Sequence, residues 1–280
     1  MQNEPIHFGS VLLSKLHRYR KVNKASGLIV LVGDIEKRNH FIFGTLAHNQ
    51  MNDLPQSWDH ETGEAGDLAL TPSQGLAHYT SFLFDPALEM IAYESKVNGV
   101  HIKHFISFFE MNYNLSRIES DIVIDPIEVE RLNRMTVIKK FHVQIARVEN
   151  GTIFKNPKSS FHQIIQSADG TNTNVLEFTL KASRLEGGSL TPPRIKQMVR
   201  DLLRFKATEE VNKLALTGKE SDKSPSKIIN FIANRVRLTI KVERKRFTSH
   251  FALQERYQKV EKEYTSIRPH LLKAYKGKDS

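Results

Sequence analysis

The sequence predicts an α+β protein of two domains, with mixed or antiparallel sheets, packed helices and a long C-terminal helix. Three observations predict it. Short apolar runs separated by turn residues fill the first half. Val137 to Val148 alternates with the period of a strand. Blocks of helical spacing then alternate with strands through the second half, as split β-α units. With 280 residues, 39% hydrophobic and 26% charged, the chain can bury two cores and is too apolar to be disordered.

The elements follow in order. Ile6 to Leu13 reads as a strand. Leu28 to Val32 and Phe41 to Leu46 read as a hairpin with a long polar connection, and residues 47–67, holding Trp58, as a surface loop. Ser81 to Asp85 and Met90 to Glu94 form a second hairpin around a turn at Pro86 to Glu89. Ile102, Phe105, Ile106 and Phe109 place a helix over Val100 to Tyr113. A short strand at Ile122 to Ile124 precedes a brief helix opened by Pro126 and ending near Met135.

In the second half, Val137, Lys139, Phe141, Val143, Ile145 and Arg147 share one face of a strand, with Ile138, Lys140, His142 and Gln144 on the other. A helix is expected from Ser159-Ser160 to Ala168, and a strand over Val175 to Leu180. Thr191-Pro192-Pro193 opens a helix to about Phe205. Leu214 to Leu216 is a strand, Pro225 to Val236 a helix, and Leu238, Ile240 and Val242 the inner face of a further strand. The last helix covers Ala252 to Tyr275. Its seam of Leu253, Tyr257, Val260, Tyr264, Ile267 and Leu271 is expected to dock on its own domain or on a twin, and Pro269 to kink or interrupt it.

Charge divides along the sequence. Residues 1–135, the expected acidic strand-rich domain, hold 12 Lys+Arg and 17 Asp+Glu. Residues 136–280, the expected basic α+β domain, hold 29 and 14. Such asymmetry points to a polyanionic partner. On the helix from Pro192, Lys196, Arg200 and Arg204 form a ladder, with Arg194 at its entrance. Lys181 ends a strand, Lys213, Lys219 and Lys223 bracket a loop, and Lys241, Arg244, Lys245 and Arg246 crowd the segment before the last helix. These cations neutralise phosphates without reading bases. No helix-turn-helix, RNP-like strand or GXXG loop accompanies them, so binding is expected to be sequence-independent.

Other chemistries are narrowed. Absent cysteine excludes disulfides, thiol catalysis and cysteine zinc sites. No G-x-S-x-G, H-E-x-x-H or Walker motif occurs. His101 and His104 could share a helix face, and Asp59-His60-Glu61 lies in a polar loop, but neither completes a metal site. Asp85 with Glu94-Ser95-Lys96 superficially matches a metal-dependent nuclease. Pairing across the Pro86 turn would separate the two carboxylates by about 13 Å. No cofactor is expected. The chain has no long apolar span, secretory signal or lipidation motif, and a cytoplasmic location is expected.

The element order from about Gly75 onward resembles the RexA-like proteins of phage exclusion (abortive infection). The likeness runs through the Ser81-Phe-Leu-Phe hairpin, the helix after Gly99, the strand at Val137 to Val148, segment 175–206, the strand and loop 211–224, and the terminal helix. The resemblance implies a DNA-binding, dimeric sensor acting with a small membrane partner in antiviral defence. The expected function is therefore a sequence-independent duplex-DNA-binding protein rather than an enzyme. The alternatives are a protein–protein adaptor in a defence or toxin–antitoxin operon, or a nuclease.

Overall fold

Phe41–Gln50 is buried on both faces over its first seven residues, and its place in the fold explains why. The computed structural model describes residues 8–13, 20–23, 28–112, 118, 120–146, 173–183, 188–203, 211–242 and 252–276. The helices are α1 (Phe8–Leu13), α2 (Ile102–Asn112), α3 (Pro126–Arg134), α4 (Pro192–Leu203) and α5 (Leu253–Leu271). The strands are β1 (Arg20–Asn23), β2 (Leu28–Arg38), β3 (Phe41–Gln50), β4 (Ser57–Trp58), β5 (Ala65–Gly66), β6 (Leu76–Asp85), β7 (Met90–Tyr93), β8 (Val137–Ala146), β9 (Val175–Lys181), β10 (Val211–Lys219) and β11 (Lys227–Asn230). The fold class is α+β with antiparallel sheets and a long C-terminal helix.

The chain forms two compact units that do not follow sequence order. One joins Met1–Ile118 to Leu238–Lys276, and the other comprises Glu119–Arg237 with Gly277–Ser280. The first unit is built on a sheet in the order β1-β2-β3-β6-β7, antiparallel throughout. Central β3 is covered on both sides. Phe41 and Phe43 meet Tyr264 and Tyr257 of α5 at 5.5 and 4.8 Å between rings. On the other side, Ile42 lies opposite Phe84 in register, Phe84 meets Phe8 of α1, and Phe82 meets Phe105 of α2. A strand between two helical layers has no face left for water, so its sequence loses alternation. Gly44 permits the close fit, because a Cβ there would stand 2.4 Å from the Phe82 ring.

The second unit carries the sheet β11-β10-β8-β9, also antiparallel. Phe141, Val143 and Ile145 of β8, Leu214 and Leu216 of β10, and Ile229 of β11 form one core with Ile195, Met198, Val199 and Leu202 of α4 and Leu132 of α3. Asp125 caps α3 by accepting the Ile127 N–H at 2.9 Å, and Pro126 occupies the first turn.

Several expectations are corrected. Phe8–Leu13 is a helix, not a strand: Phe8, Val11 and Leu12 recur at helical spacing. The connection between β2 and β3 is two residues, with Asn39 at φ 51°, because β2 runs on through a bulge at Gly33 to Arg38. Segment 47–67 is not all loop, since β3 extends to Gln50 and β4–β5 make a small hairpin. Lys227–Asn230 is a strand followed by a turn where a helix was expected. Ile229 pairs opposite Leu216, and the Asn230 side chain accepts the Ala233 N–H. Leu238, Ile240 and Val242 keep an alternating exposure in an extended segment that joins no sheet among the described residues. Ile138, assigned to the outer face, is fully buried in the core, beside a register shift at Thr217/Gly218. The expected helix at Ser159 to Ala168 lies outside the described residues.

The terminal helix differs most from expectation. Its seam packs on the N-terminal sheet rather than within the basic half. Tyr257, Tyr264 and Leu271 are buried, and Pro269 sits inside a helix that continues into a π turn at Leu272–Lys276. Polar clips fix the docking. Asp85, fully buried, accepts from Arg268 Nε at 2.7 Å and the Tyr264 hydroxyl at 3.2 Å. Glu94 accepts from Arg256 at 2.5 Å, and Asn39 donates to Glu261 at 2.9 Å.

Candidate nucleic-acid interface

Because α3 and α4 both pack on one face of the second sheet, its other face presents the alternate residues of each strand. The register arranges them in rows. Ile228, Thr217, Lys140 and Lys181 form the first, crossing β11, β10, β8 and β9. Asn230, Ala215, His142 and Thr179 form the second, and Lys213, Gln144 and Glu177 the third. Lys181, Lys213, Thr179 and Ile228 are exposed.

Lys140 and Lys181 are direct cross-strand partners. Like charges there are about 5 Å apart at Cβ and destabilise the sheet. Among the described residues neither ammonium, nor that of Lys213, has a carboxylate partner. The face does carry Glu177, but this is held by His142 at 2.7 Å and by Gln144 at 3.3 Å. Hydroxyls of Thr179 and Thr217 and the Gln144 amide flank the lysines. The arrangement is a shallow cationic surface with neutral hydrogen-bonding groups, suited to a line of phosphates. Its aromatic neighbours Phe141 and Phe178 point into the core, so among the described residues the ring this face carries is the His142 imidazole, which is tied to Glu177.

The structure distributes the expected site residues over different places. Lys181 lies on the open sheet face. Arg194 and Arg200 are exposed on α4, which covers the opposite face. Lys196 is half-buried, with its ammonium on the Asn133 carbonyl at 2.8 Å. Burial, and then the charge of Arg200, hold its pKa below the usual lysine value. Lys219 folds back to the Asp222 carbonyl at 3.3 Å, and Lys223 is exposed in the same loop. Lys241 is exposed and belongs to the first unit. Arg244, Lys245 and Arg246, like Arg204, lie outside the described residues. Lys140 is the member that sequence reasoning left out of the cationic sets, and Lys213 was read only as part of the set at the 218–224 loop. The strand register brings them onto the face with Lys181, and one sequence does not specify that pairing.

Charge is also redistributed. The first unit holds 20 Lys+Arg and 16 Asp+Glu, and the second holds 21 and 15. The acidic first half and basic second half of the sequence thus become two mildly basic units. Within the first 135 residues the acidic excess comes from segment 51–75. It contains Asp53, Asp59, Glu61, Glu64 and Asp67 and no Lys or Arg, while the remaining 12 acidic residues match 12 basic ones. Segment 51–75 includes the β4–β5 hairpin, where Asp59 accepts from the Glu61 and Thr62 amides and Trp58 is 70% exposed.

The nuclease-like carboxylates do not converge. Asp85 pairs opposite Met90, four residues from Glu94, and each is engaged by different cations of α5. Lys96 pairs with Glu94 at 3.0 Å and donates to the Tyr79 carbonyl. Among the described residues, no three His, Asp or Glu side chains gather as metal ligands. No described helix is long and apolar enough to cross a membrane. In comparison with known proteins, no family model matches the chain and no curated protein matches it.

Proposed function

We propose that the protein binds the sugar-phosphate backbone of duplex nucleic acid without sequence preference, through the open face of the second unit's sheet. The observation that carries this reading is the Lys140–Lys181 cross-strand pair, which has no carboxylate partner among the described residues, extended by Lys213. A bound phosphate relieves the repulsion that the empty face tolerates. Lys181 is the anchor of the earlier basic set that belongs to this face. Arg194, Arg200 and Lys223 form separate patches that add non-specific attraction. The resemblance to phage-exclusion proteins supports DNA as the ligand and a defence role, as a sensor or activator, homodimeric and cytoplasmic, with a small membrane partner. The function is binding rather than catalysis, in keeping with the structural duties of Asp85 and Glu94.

Anisotropy of a short labelled duplex, measured between about 50 and 200 mM salt, tests it. Affinity should fall steeply with salt, because each neutralised phosphate releases counterions. Competition with single-stranded DNA and with duplex RNA assigns the ligand class. No binding at low salt rejects the reading.

One observation favours an adaptor role beside it. Segment 51–75 presents Trp58 among five carboxylates, the composition of a surface that receives a basic protein. Trp58 is the chain's single tryptophan, so its fluorescence reports that contact directly. A basic peptide that shifts its emission supports the adaptor reading, and a spectrum unmoved by basic partners removes it.

A further inference from the structure

Four histidines from three elements meet where α2 joins the first unit's sheet. His48 of β3 and His78 of β6 are direct cross-strand partners, with rings 5.9 Å apart. His101 and His104, at the start of α2, have rings 6.5 Å apart. The chain entering the helix is pinned just before them. The Val100 N–H donates to Thr80 Oγ1 at 2.8 Å, and the Tyr93 hydroxyl donates to the Val100 carbonyl at 2.7 Å.

His101 is the cap of α2. Its carbonyl accepts the amides of His104 and Phe105 at 2.9 and 3.1 Å, and its Nδ1 accepts from the Lys103 amide at 3.4 Å. That last contact exists only while Nδ1 carries no proton. The first turn holds no acidic residue. Its charged groups are Lys103 and the histidines, at the helix end that already repels cations. Two acidic residues stand in the adjoining segments. Glu94 is committed to Arg256, Lys96 and Ser81, and Lys96 adds a further cation. Asp53 turns its carbonyl, not its carboxylate, to Gln50. The Gln50 amide nitrogen donates to the carbonyls of Asn52 and Asp53, so its oxygen must accept from His78 Nε2 at 2.9 Å.

We propose that His48, His78, His101 and His104 form a pH-operated latch. It holds the start of α2 on the sheet while the His48 and His104 imidazoles are neutral and releases it when these two take up protons. The titration of two members agrees. Burial chiefly, then Lys103, His101 and His48, hold the pKa of His104 below the usual histidine value. Burial chiefly lowers that of His48, aided by His78 and opposed by its hydrogen bond to the Asn98 backbone. Groups depressed in the closed state bind protons more readily once it opens. The closed state is therefore fully favoured above about pH 6.5 and loses stability as pH falls through that value.

Hydrogen exchange over residues 100–112, corrected for intrinsic rates, tests this in the full chain at about pH 7.5 and pH 5.5. In the wild type, protection of α2 should fall at the lower pH, by at most about tenfold for each histidine whose pKa the closed state depresses. Protection of α4 in the second unit should hold, which separates the latch from general acid unfolding. The variant His48→Gln/His101→Asn/His104→Gln cannot titrate at three positions, and its α2 protection should be insensitive to pH. Should that variant lack native circular dichroism at pH 7.5, His104→Gln alone serves, because it removes one of the two depressed imidazoles and leaves the His101 cap in place. Its pH response should be weaker than wild type. Equal wild-type protection at both pH values overturns the latch, as does a variant that loosens as the wild type does.

Discussion

Replacing Lys140 and Lys181 together by glutamine should weaken nucleic-acid binding while stabilising the fold. The two side chains face each other across β8 and β9 without a carboxylate partner among the described residues. Removing a directly opposed like-charge pair returns a few tenths of a kcal/mol, about 0.5. That raises the melting temperature by a degree or two for a chain of this size. Glutamine keeps most of the methylene stem, so packing on the strand changes little. Binding moves the other way. Each phosphate neutralised contributes about −0.9 to the slope of log affinity against log salt, so two lost contacts make it shallower by about 1.8. Across a fourfold change in salt, the variant's deficit relative to wild type should shrink about twelvefold. Anisotropy titrations between about 50 and 200 mM salt read the slope, and thermal unfolding reads the stability. An unchanged slope would show that the sheet face does not meet phosphates. A lower melting temperature would show that the pair is not a source of repulsion.

Other expectations follow from single contacts. Asp85→Ala strands Arg268 and removes the Tyr264 and Ala87 hydrogen bonds. Urea unfolding should register a loss of about 3 kcal/mol, at the low end for a broken buried pair because Arg268 is a quarter exposed. Gly44→Ala forces a methyl against the Phe82 ring and should cost about 1–3 kcal/mol by the same measurement. Lys196→Gln should leave duplex affinity within about twofold, since its ammonium already sits on the Asn133 carbonyl. A drop as large as that of the Lys140/Lys181 variant would move the interface to the helical side of the unit.

Local rules made much of the fold legible. Pro126 announced α3, Thr191-Pro192 announced α4, and the Pro86 turn set Asp85 opposite Met90. These signals act within a few residues, where backbone propensity and capping decide the outcome. The segment after Pro225 misled because Ile228, Ile229 and Ile232 satisfy helical spacing, whereas the free edge of β10 captured Ile229 as a strand. A pairing partner distant in sequence outweighed a local pattern. The site was partly legible: Lys181 was visible as a cation ending a strand, but its neighbour Lys140 depended on which strands pair and in what register.

The sequence by itself determined the inventory: α+β class, no cysteine, an excess of ten positive charges, and, for most strands of the second unit, the alternation that sets which side is wet. Its division into an acidic and a basic half was a property of chain order. Tertiary structure removed that division by laying α5, from the basic half, over the Phe41–Phe43 strand of the acidic half. Burying the Tyr257 and Tyr264 seam favours that position, and the Asp85–Arg268 pair fixes its orientation. Where charge gathers is therefore set by which apolar faces cover one another. Apolar burial acts over the whole surface it removes from water, while an exposed charge interacts weakly beyond a Debye length and follows the element that carries it.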